Sequence, residues 1–547
     1  MFSKLKIFWI TAGFSLNMFF AHAQVATLED SLSSISPGFY KSLQTERAKG
    51  NRSDSLYWIL SNRERLQFLQ SNPVQLVFDT LKQAGLIEMH YKNTEKNIRL
   101  PVEAYRTYTA AFYTEGFTTV GKAKIQGRFY FDKIWEDSLA NNLSESLQPG
   151  TPFTHFAAKA GNYERQNIRF EAGLGLPLAG GFQMTSLLNY DYHWSSGSVD
   201  PRPENKIFQI KYTPGLAYKY KNTILGAGYM IGKTDGAYDI LYKNEMFRTS
   251  QLYPDRRLYI NNGYGYIGQY TSEAYSKSKD KIDGWIINMA THISNWWVKG
   301  NYSNSFFAKR NFILSTNKDS LNNPIQEQVH SKYELLVKKL EALIYNENQK
   351  RVHQISFNGS INEGTAVLMS SSNGANYLYD GHNALLDYLL SLKNFGKVLV
   401  ELGFNGMFNH FKKKDFLAMH FYEHTRADFS LYAGKYFYGA KHNFKINVKS
   451  GLMLPLKNDL SVPLTQVNVF TGNITYPEYD FRGSTFFSGK LSLMYYSPSL
   501  LRLAGSSISL NIDYLQKLKD SDISRALVPT YTGKNQFSIS LGFQIFL

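Results

Sequence analysis

The sequence predicts an all-β protein, a transmembrane antiparallel up-and-down barrel of about 18 strands preceded by a short mixed segment. Three observations predict it. Long segments alternate between apolar and polar residues, the chain ends in such a segment, and short and long connections alternate along its length. A bilayer demands this of a β protein: every backbone polar group is satisfied between closed strands, and one face of each strand meets lipid.

The first residues read as a secretory leader. Lys4 and Lys6 supply the charged start, Ile7 to Phe20 the apolar stretch, and Ala21-His22-Ala23 a small-x-small cleavage site before Gln24. The apolar stretch is short against the roughly 20 residues of a spanning helix, and no Cys follows to carry a lipid anchor. Residues 1–23 are expected to be removed after Ala23, with the mature chain bound for the cell outer membrane.

Composition supports the same class. Aromatic residues are 15% of the chain, with 38 Tyr and 38 Phe, and Cys is absent, which excludes a disulfide framework and thiol chemistry. Mean hydropathy is −0.33, as expected where lipid-facing and lumen-facing residues cancel. The formal charge is +16, and losing the leader's two lysines leaves +14. No Arg/Lys-rich stripe or binding motif accompanies the charge, so no nucleic-acid partner is expected. Outer-membrane lipid and anionic lipopolysaccharide, or anionic cargo in a lumen, are the better match.

The strands show a period of two. In Lys122 to Asp132, Ala123, Ile125, Gly127, Phe129 and Phe131 share one face, and Lys122, Lys124, Gln126, Arg128, Tyr130 and Asp132 the other. The division recurs around Ile168–Leu176, Met184–Trp194, Phe444–Val448 and Ile508–Tyr514. At the end of the chain Phe537, Ile539, Leu541, Phe543, Ile545 and Leu547 oppose Gln536, Ser538, Ser540, Gly542 and Gln544. This terminal strand resembles the sorting signal read by barrel-assembly machinery, although Phe546 is penultimate and Leu547 last. That machinery is the expected assembly partner.

Connection lengths count the strands, because outer-membrane barrels pair short periplasmic turns with longer outer loops. Strands are expected near 105–117, 120–133, 163–177, 182–194, 206–220, 223–233, 282–293, 296–309 and 332–346. Further strands are expected near 350–362, 383–393, 396–410, 424–437, 440–454, 483–497, 505–518 and 535–547. The last strand descends, so an ascending strand must precede 105–117, and Leu86 to Lys92 is the candidate. That makes 18, or 16 if a weak segment such as 332–346, which also admits a helical reading, is not a strand. The expected organisation is leader 1–23, an N-terminal periplasmic extension or plug over 24–85 with helical spacing at Ser55–Leu69, and barrel over 86–547.

The stretch Ala157 to Tyr220 carries Gly161-Asn162 before one strand, Gly173-Leu174-Gly175 within a strand, and Asp200-Pro201-Arg202-Pro203 before another. It resembles a family of uncharacterised Bacteroidota outer-membrane β-barrel proteins. The resemblance implies the barrel and the envelope location, and brings no catalytic residue or cofactor.

The chemistry is sparse. No G-x-S-x-G or H-E-x-x-H motif occurs, so no enzyme activity, catalytic residue, metal or cofactor is expected. His410, His420, Glu423 and His424 fall in one expected outer loop, where neighbouring lysines oppose a cation. The connection 233–281 is rich in tyrosines, among them Tyr238, Tyr242, Tyr253, Tyr259, Tyr264 and Tyr266, able to stack on sugars or a partner, or to pack the loop on itself. The main clue is the set placed inward: Lys122, Lys124, Arg128, Arg169, Lys211, Lys219, Arg426, Lys445, Lys449 and Lys490. It outnumbers the inward acids Asp132, Glu171, Asp191, Glu401, Asp428 and Asp513. Rings of Lys and Arg favour anions, unless the charges pair across the wall. The leading expectation is a channel or uptake component for polar or anionic solutes. The alternative is a non-conducting binding or assembly barrel beside another envelope complex such as a TonB-dependent receptor, and the third is an envelope enzyme. A lumen occluded by residues 24–85 or by loop 233–281 would favour the alternative.

Overall fold

The computed structural model describes residue 74 and residues 83–314, 327–370, 374–395, 397–439, 442–501, 504–523, 527 and 533–546. The expected leader and the helical spacing at Ser55–Leu69 lie outside the described residues.

The first strands are β1 (Gln83–Lys96), β2 (Arg106–Val120), β3 (Ala123–Leu139), β4 (Phe153–Phe156), β5 (Gly161–Pro177), β6 (Phe182–Gly197) and β7 (Arg202–Tyr220). Then come β8 (Thr223–Leu241), β9 (Leu258–Asn262), β10 (Ile267–Tyr270), β11 (Ala274–Ile293), β12 (Trp296–Leu314), β13 (Glu327–Glu347) and β14 (Arg351–Leu368). The rest are β15 (Tyr377–Asn394), β16 (Lys397–Asp415), β17 (His420–Tyr438), β18 (Asn443–Ser461), β19 (Thr485–Leu501), β20 (Ala504–Lys519) and β21 (Asn535–Phe546). A helix, α1 (Tyr476–Gly483), follows a single π-helical turn at Thr471–Thr475.

Eighteen of these strands form one antiparallel meander, and β1 closes it by pairing with both β2 and β21. The remaining three, β4, β9 and β10, make a separate small sheet. The count is therefore 18, and segment 332–346 lies within strand β13 rather than a helix. The barrel begins at Gln83, so the last three residues assigned to the N-terminal extension belong to β1. Val74 is buried against Ala217 and Ile224 on the inner face of β7 and β8, near the short-turn end.

Alternation holds round the wall. On β8 and β11 the outward Tyr229, Ile231, Trp285 and Ile287 are exposed, while the inward Thr234, Ser278, Ile282 and Ile286 are buried. On β21 the outward Phe537, Ile539 and Leu541 are exposed, and Gln536, Ser538, Gln544 and Phe546 are buried inside. Facing lipid, such apolar side chains are the membrane belt of an outer-membrane-type barrel.

The strands run past this belt at the long-loop end. β8 continues to Leu241 and β11 starts at Ala274, so the true connection is 242–273 rather than 233–281, and Tyr238 stands on a strand. Likewise β16 runs to Asp415 and β17 starts at His420, so the histidine group belongs to strands. Paired residues then alternate faces: Glu423 opposite Lys412 points out, while His424 opposite Phe411 is fully buried inside. His410 and Glu423 are thus separated by the wall from His420 and His424. Among the described residues no group of three or more His, Cys, Asp and Glu side chains could hold a metal ion.

The long-loop mouth is filled. Phe156, Tyr259, Tyr264, Phe470 and Ile474 of the connections pack with inward residues Ile282, Phe307, Tyr333, Leu335, Tyr377, Phe411 and Tyr422 of six strands. A second cluster joins Leu143, Ala157, Tyr242 and Leu258 to Leu139, Tyr163 and Ile240. The cap meets charged wall residues as well: Lys413 and Asp415 bind it from β16, and Asp280 of β11 accepts from Gln148 at 2.7 Å.

Candidate functional site in the lumen

Beneath the cap lies a cavity of about 310 Å³. Its roof comes from two connections, at Val102–Ala104 and Asn142–Leu147, and its wall from the strands around β1–β3, β5–β7 and β18–β21. The wall is bipolar. On one side Lys92, Lys449 and Lys490 converge, and on the other stand Glu136, Glu145, Arg165, Asn167 and His193.

The lysine side is built by register. Lys449 of β18 stands directly opposite Lys490 of β19, which stands opposite Asp513 of β20. Lys490 pairs with Asp513 at 2.9 Å. Like charges set directly opposite repel, and Asp513 tempers this pair from the Lys490 side. Opposite them, Arg165 binds Glu136 through Nε at 2.5 Å and also pairs with Glu145 of the roof. His193 Nε2 lies 2.6 Å from Glu145, and its Nδ1 lies 2.7 Å from Asn167 Oδ1. Glu145 thereby ties roof to wall.

The inward basic residues fall into three groups. Arg128, Arg426, Lys445 and Lys490 are locked to wall acids: Arg128 to Glu171 at 2.8 Å, Arg426 to Asp428 at 2.8 Å, and Lys445 to Glu401 at 2.7 Å. Arg169 lies 3.5 Å from Asp191 and covers the Tyr130 ring, and Lys211 is buried on the inner face of β7. Lys449 lines the cavity, whereas Lys124 is half-buried near the end of β3. Lys122 is exposed in the β2–β3 turn, and Lys219 is exposed at the end of β7. Of the ten, the structure brings Arg169, Lys449 and Lys490 to the cavity. Sequence reading missed Lys92, Lys96 and Arg165: Arg165 shares its face with Arg169 by the period of two on β5, whereas Lys96 lies beyond the expected strand Leu86–Lys92.

The tyrosines of the long connection build the cap. Tyr259 stacks on Phe156, and Tyr264 stacks on Tyr422 with its ring under Lys413 Nζ at 4.5 Å. Asp415 accepts the backbone N–H groups of Tyr264 at 2.7 Å and Tyr266 at 2.9 Å. Tyr242 is buried and donates to the Arg256 carbonyl, while Tyr253 remains exposed. The Tyr264 hydroxyl donates to Glu478 of α1, which also accepts from Lys413 and Arg482. Burial alone would push the Glu478 carboxyl up, but the two cations hold it down at about 2. The Asp200-Pro201-Arg202-Pro203 motif serves the same rim: Asp200 accepts the N–H groups of Lys243 and Asn244 at 3.1 and 3.0 Å, anchoring the start of the long connection.

Residues 73–547 match a family of unknown function (DUF6850), and the chain belongs to that family. A search of curated proteins found no match. Among solved structures the barrel is similar to the ferric yersiniabactin uptake receptor FyuA from Yersinia pestis, at 8% identity and TM-score 0.40, over 85% of this chain and 80% of that one. It is similar to the copper transporter OprC at 6% identity and TM-score 0.38, over 85% and 80%. It is also similar to a Pseudomonas aeruginosa FadL homologue at 10% identity and TM-score 0.30, over 87% and 93%. Likenesses this remote carry no argument about role.

Proposed function

We propose that this barrel is a gated uptake component, which binds a small polar or anionic solute in its lumen and passes it inward when the cap yields. The observation that carries the proposal is the bipolar cavity directly beneath a cap latched to the wall by buried ion pairs. A standing porin needs a continuous aqueous path, and the packed mouth speaks against one. The lysine side of the cavity suits a carboxylate or phosphate, and the carboxylate side suits donor groups on the same solute.

The filled mouth also favours the second reading, a non-conducting binding barrel that works with another envelope complex. In neither reading does the chain catalyse a reaction. Planar-bilayer conductance of the refolded protein tests the gate. Wild type is expected to be silent, and Glu478→Gln, which loosens the latch, is expected to open it. Steady wild-type openings would overturn the gate, and silence of both proteins would leave the binding barrel as the better reading.

A further inference from the structure

The outer wall carries an arrangement that the lumen does not explain. On consecutive strands, Lys279 of β11 stands directly opposite Arg310 of β12, which stands directly opposite Lys332 of β13. One rung nearer the membrane, Lys233 of β8 stands directly opposite Lys281 of β11. All five point away from the lumen, because the alternating Thr234, Ser278, Asp280, Lys309 and Ser331 are the buried inward residues. Directly opposed like charges destabilise a sheet, and here three such oppositions share two rungs. Acids temper but do not cancel them. Asp235 pairs with Lys233 at 3.0 Å and stands directly opposite Lys279 from β8, and Glu327 lies 3.5 Å from Lys279 and 3.2 Å from Lys277. Glu334 and Asp283 stand nearby on the same face.

The position is as informative as the charge. Along β11 the outward residues below Asp283 are the exposed apolar Trp285, Ile287 and Met289, then Thr291, and last the exposed Ile293. The ten steps from Ile293 to Asp283, at about 3.3 Å each and tilted by about 40°, rise roughly 25 Å, the height of a membrane belt. The cations therefore begin where the belt ends, on the long-loop side, at the headgroup level of the outer leaflet. Immediately below them Ile231, Phe306, Tyr229 and Trp285 offer exposed apolar surface.

We infer that this face binds an anionic, phosphorylated glycolipid of the outer leaflet, with its phosphates on Lys279, Arg310 and Lys332 and its acyl chains along the Trp285–Phe306 surface. The field of five cations on four strands supplies charge for more than one phosphate, and the apolar strip beneath commits the occupant to a lipid rather than a free ion.

The test uses the full chain, extracted from membranes in mild detergent, with bound lipid phosphate counted by native mass spectrometry. The triple variant Lys279→Gln/Arg310→Gln/Lys332→Gln is expected to retain at least about tenfold less phosphorylated lipid than wild type. The control Lys435→Gln, an exposed outward change near the other end of β17, is expected to retain as much as wild type. Because the cations repel one another, the lipid-free triple variant is expected to be at least as heat-stable as lipid-free wild type. Adding diphosphorylated lipid A should then stabilise wild type alone. Equal retention in wild type and variant, displacement by millimolar inorganic phosphate, or a lipid-free variant that melts earlier would each overturn the inference.

Discussion

The Lys413 ammonium of β16 donates to the Glu478 carboxylate of α1 at 3.1 Å, so the helix of the cap is tied to the inner wall by a buried ion pair. Glu478 is held down at about 2, from an ordinary 4.5. A carboxyl with a lowered folded value stabilises fully above its unfolded value and loses that contribution as pH falls through the folded one. The cap is therefore expected to stay latched at neutral pH and to loosen progressively from about pH 4.5 to about pH 2. Conductance or proteolysis of the cap, followed against pH, measures this. Glu478→Gln leaves Lys413 and Arg482 buried without their carboxylate, at a cost of about 3–5 kcal/mol, and should remove the acid-dependent step. A step that persists unchanged in the variant would mean that another group is the latch.

The tip of the long connection is held by a backbone that only glycine tolerates. Gly265 has φ +131, and a Cβ there would land on the His420 ring. Gly265→Ala should cost about 1–3 kcal/mol of backbone strain and free the 263–266 tip from Asp415. The expected readout is faster proteolysis within 242–273 with an intact barrel, seen as unchanged heat-modifiable migration on a gel. Protection equal to wild type would show that the tip does not depend on this seat.

Within the wall, Arg128 lies between Glu171 at 2.8 Å and Glu115 at 3.6 Å, and its side chain is only 2% exposed. Arg128→Ala strands two buried carboxylates and should destabilise the barrel by about 3–5 kcal/mol, measured by urea unfolding in vesicles. A loss below about 1 kcal/mol would imply that water reaches the pair and screens it.

Lipid contact of the closing strand is testable by depth. Leu541 of β21 is exposed on the outward face, between Ile539 and Phe543. Near the belt's middle, Leu541→Lys should cost about 2–4 kcal/mol of folding in bilayers. The inward neighbour change Ser540→Lys should cost far less. Equal penalties would contradict the assigned faces.

The barrel was legible in the sequence because its period of two is local. Lys122 to Asp132 shows its two faces in eleven residues, and the terminal strand shows them in twelve. Legibility stopped where the lipid stopped. Above Asp283, the outward Lys277, Lys279 and Lys281 alternate with the inward Ser276, Ser278 and Asp280, polar on both faces, so the apolar signal that marks a strand disappears although the ladder continues. The histidine group was misplaced for the same reason, since β16 and β17 persist past the belt. The cap was illegible for a different reason. Tyr264, Asp415 and Glu478 meet from three distant segments, and no spacing encodes that meeting. Only Glu478 and Arg482, four apart on α1, left a local trace.

The cavity offers the most discriminating experiment on role. Lys449 and Lys490 face one another across a strand pair, and Lys490 has Asp513 as its nearest acid. Lys490→Glu replaces a cation by an anion beside Lys449 and Asp513, so the local field changes by two charges. With the cap opened by Glu478→Gln, a parent that prefers anions should move toward cations under a salt gradient. The change should weaken with ionic strength, because charges about a Debye length apart, roughly 8 Å at 0.15 M, are screened. The same substitution behind a closed cap should leave conductance silent and act only on solute binding, seen as a weaker thermal shift with anionic solutes. If selectivity moves only with the cap open, the lysines lie on the permeation path. If binding changes while no variant conducts, the cavity is a receptor site in a barrel that does not transport by itself.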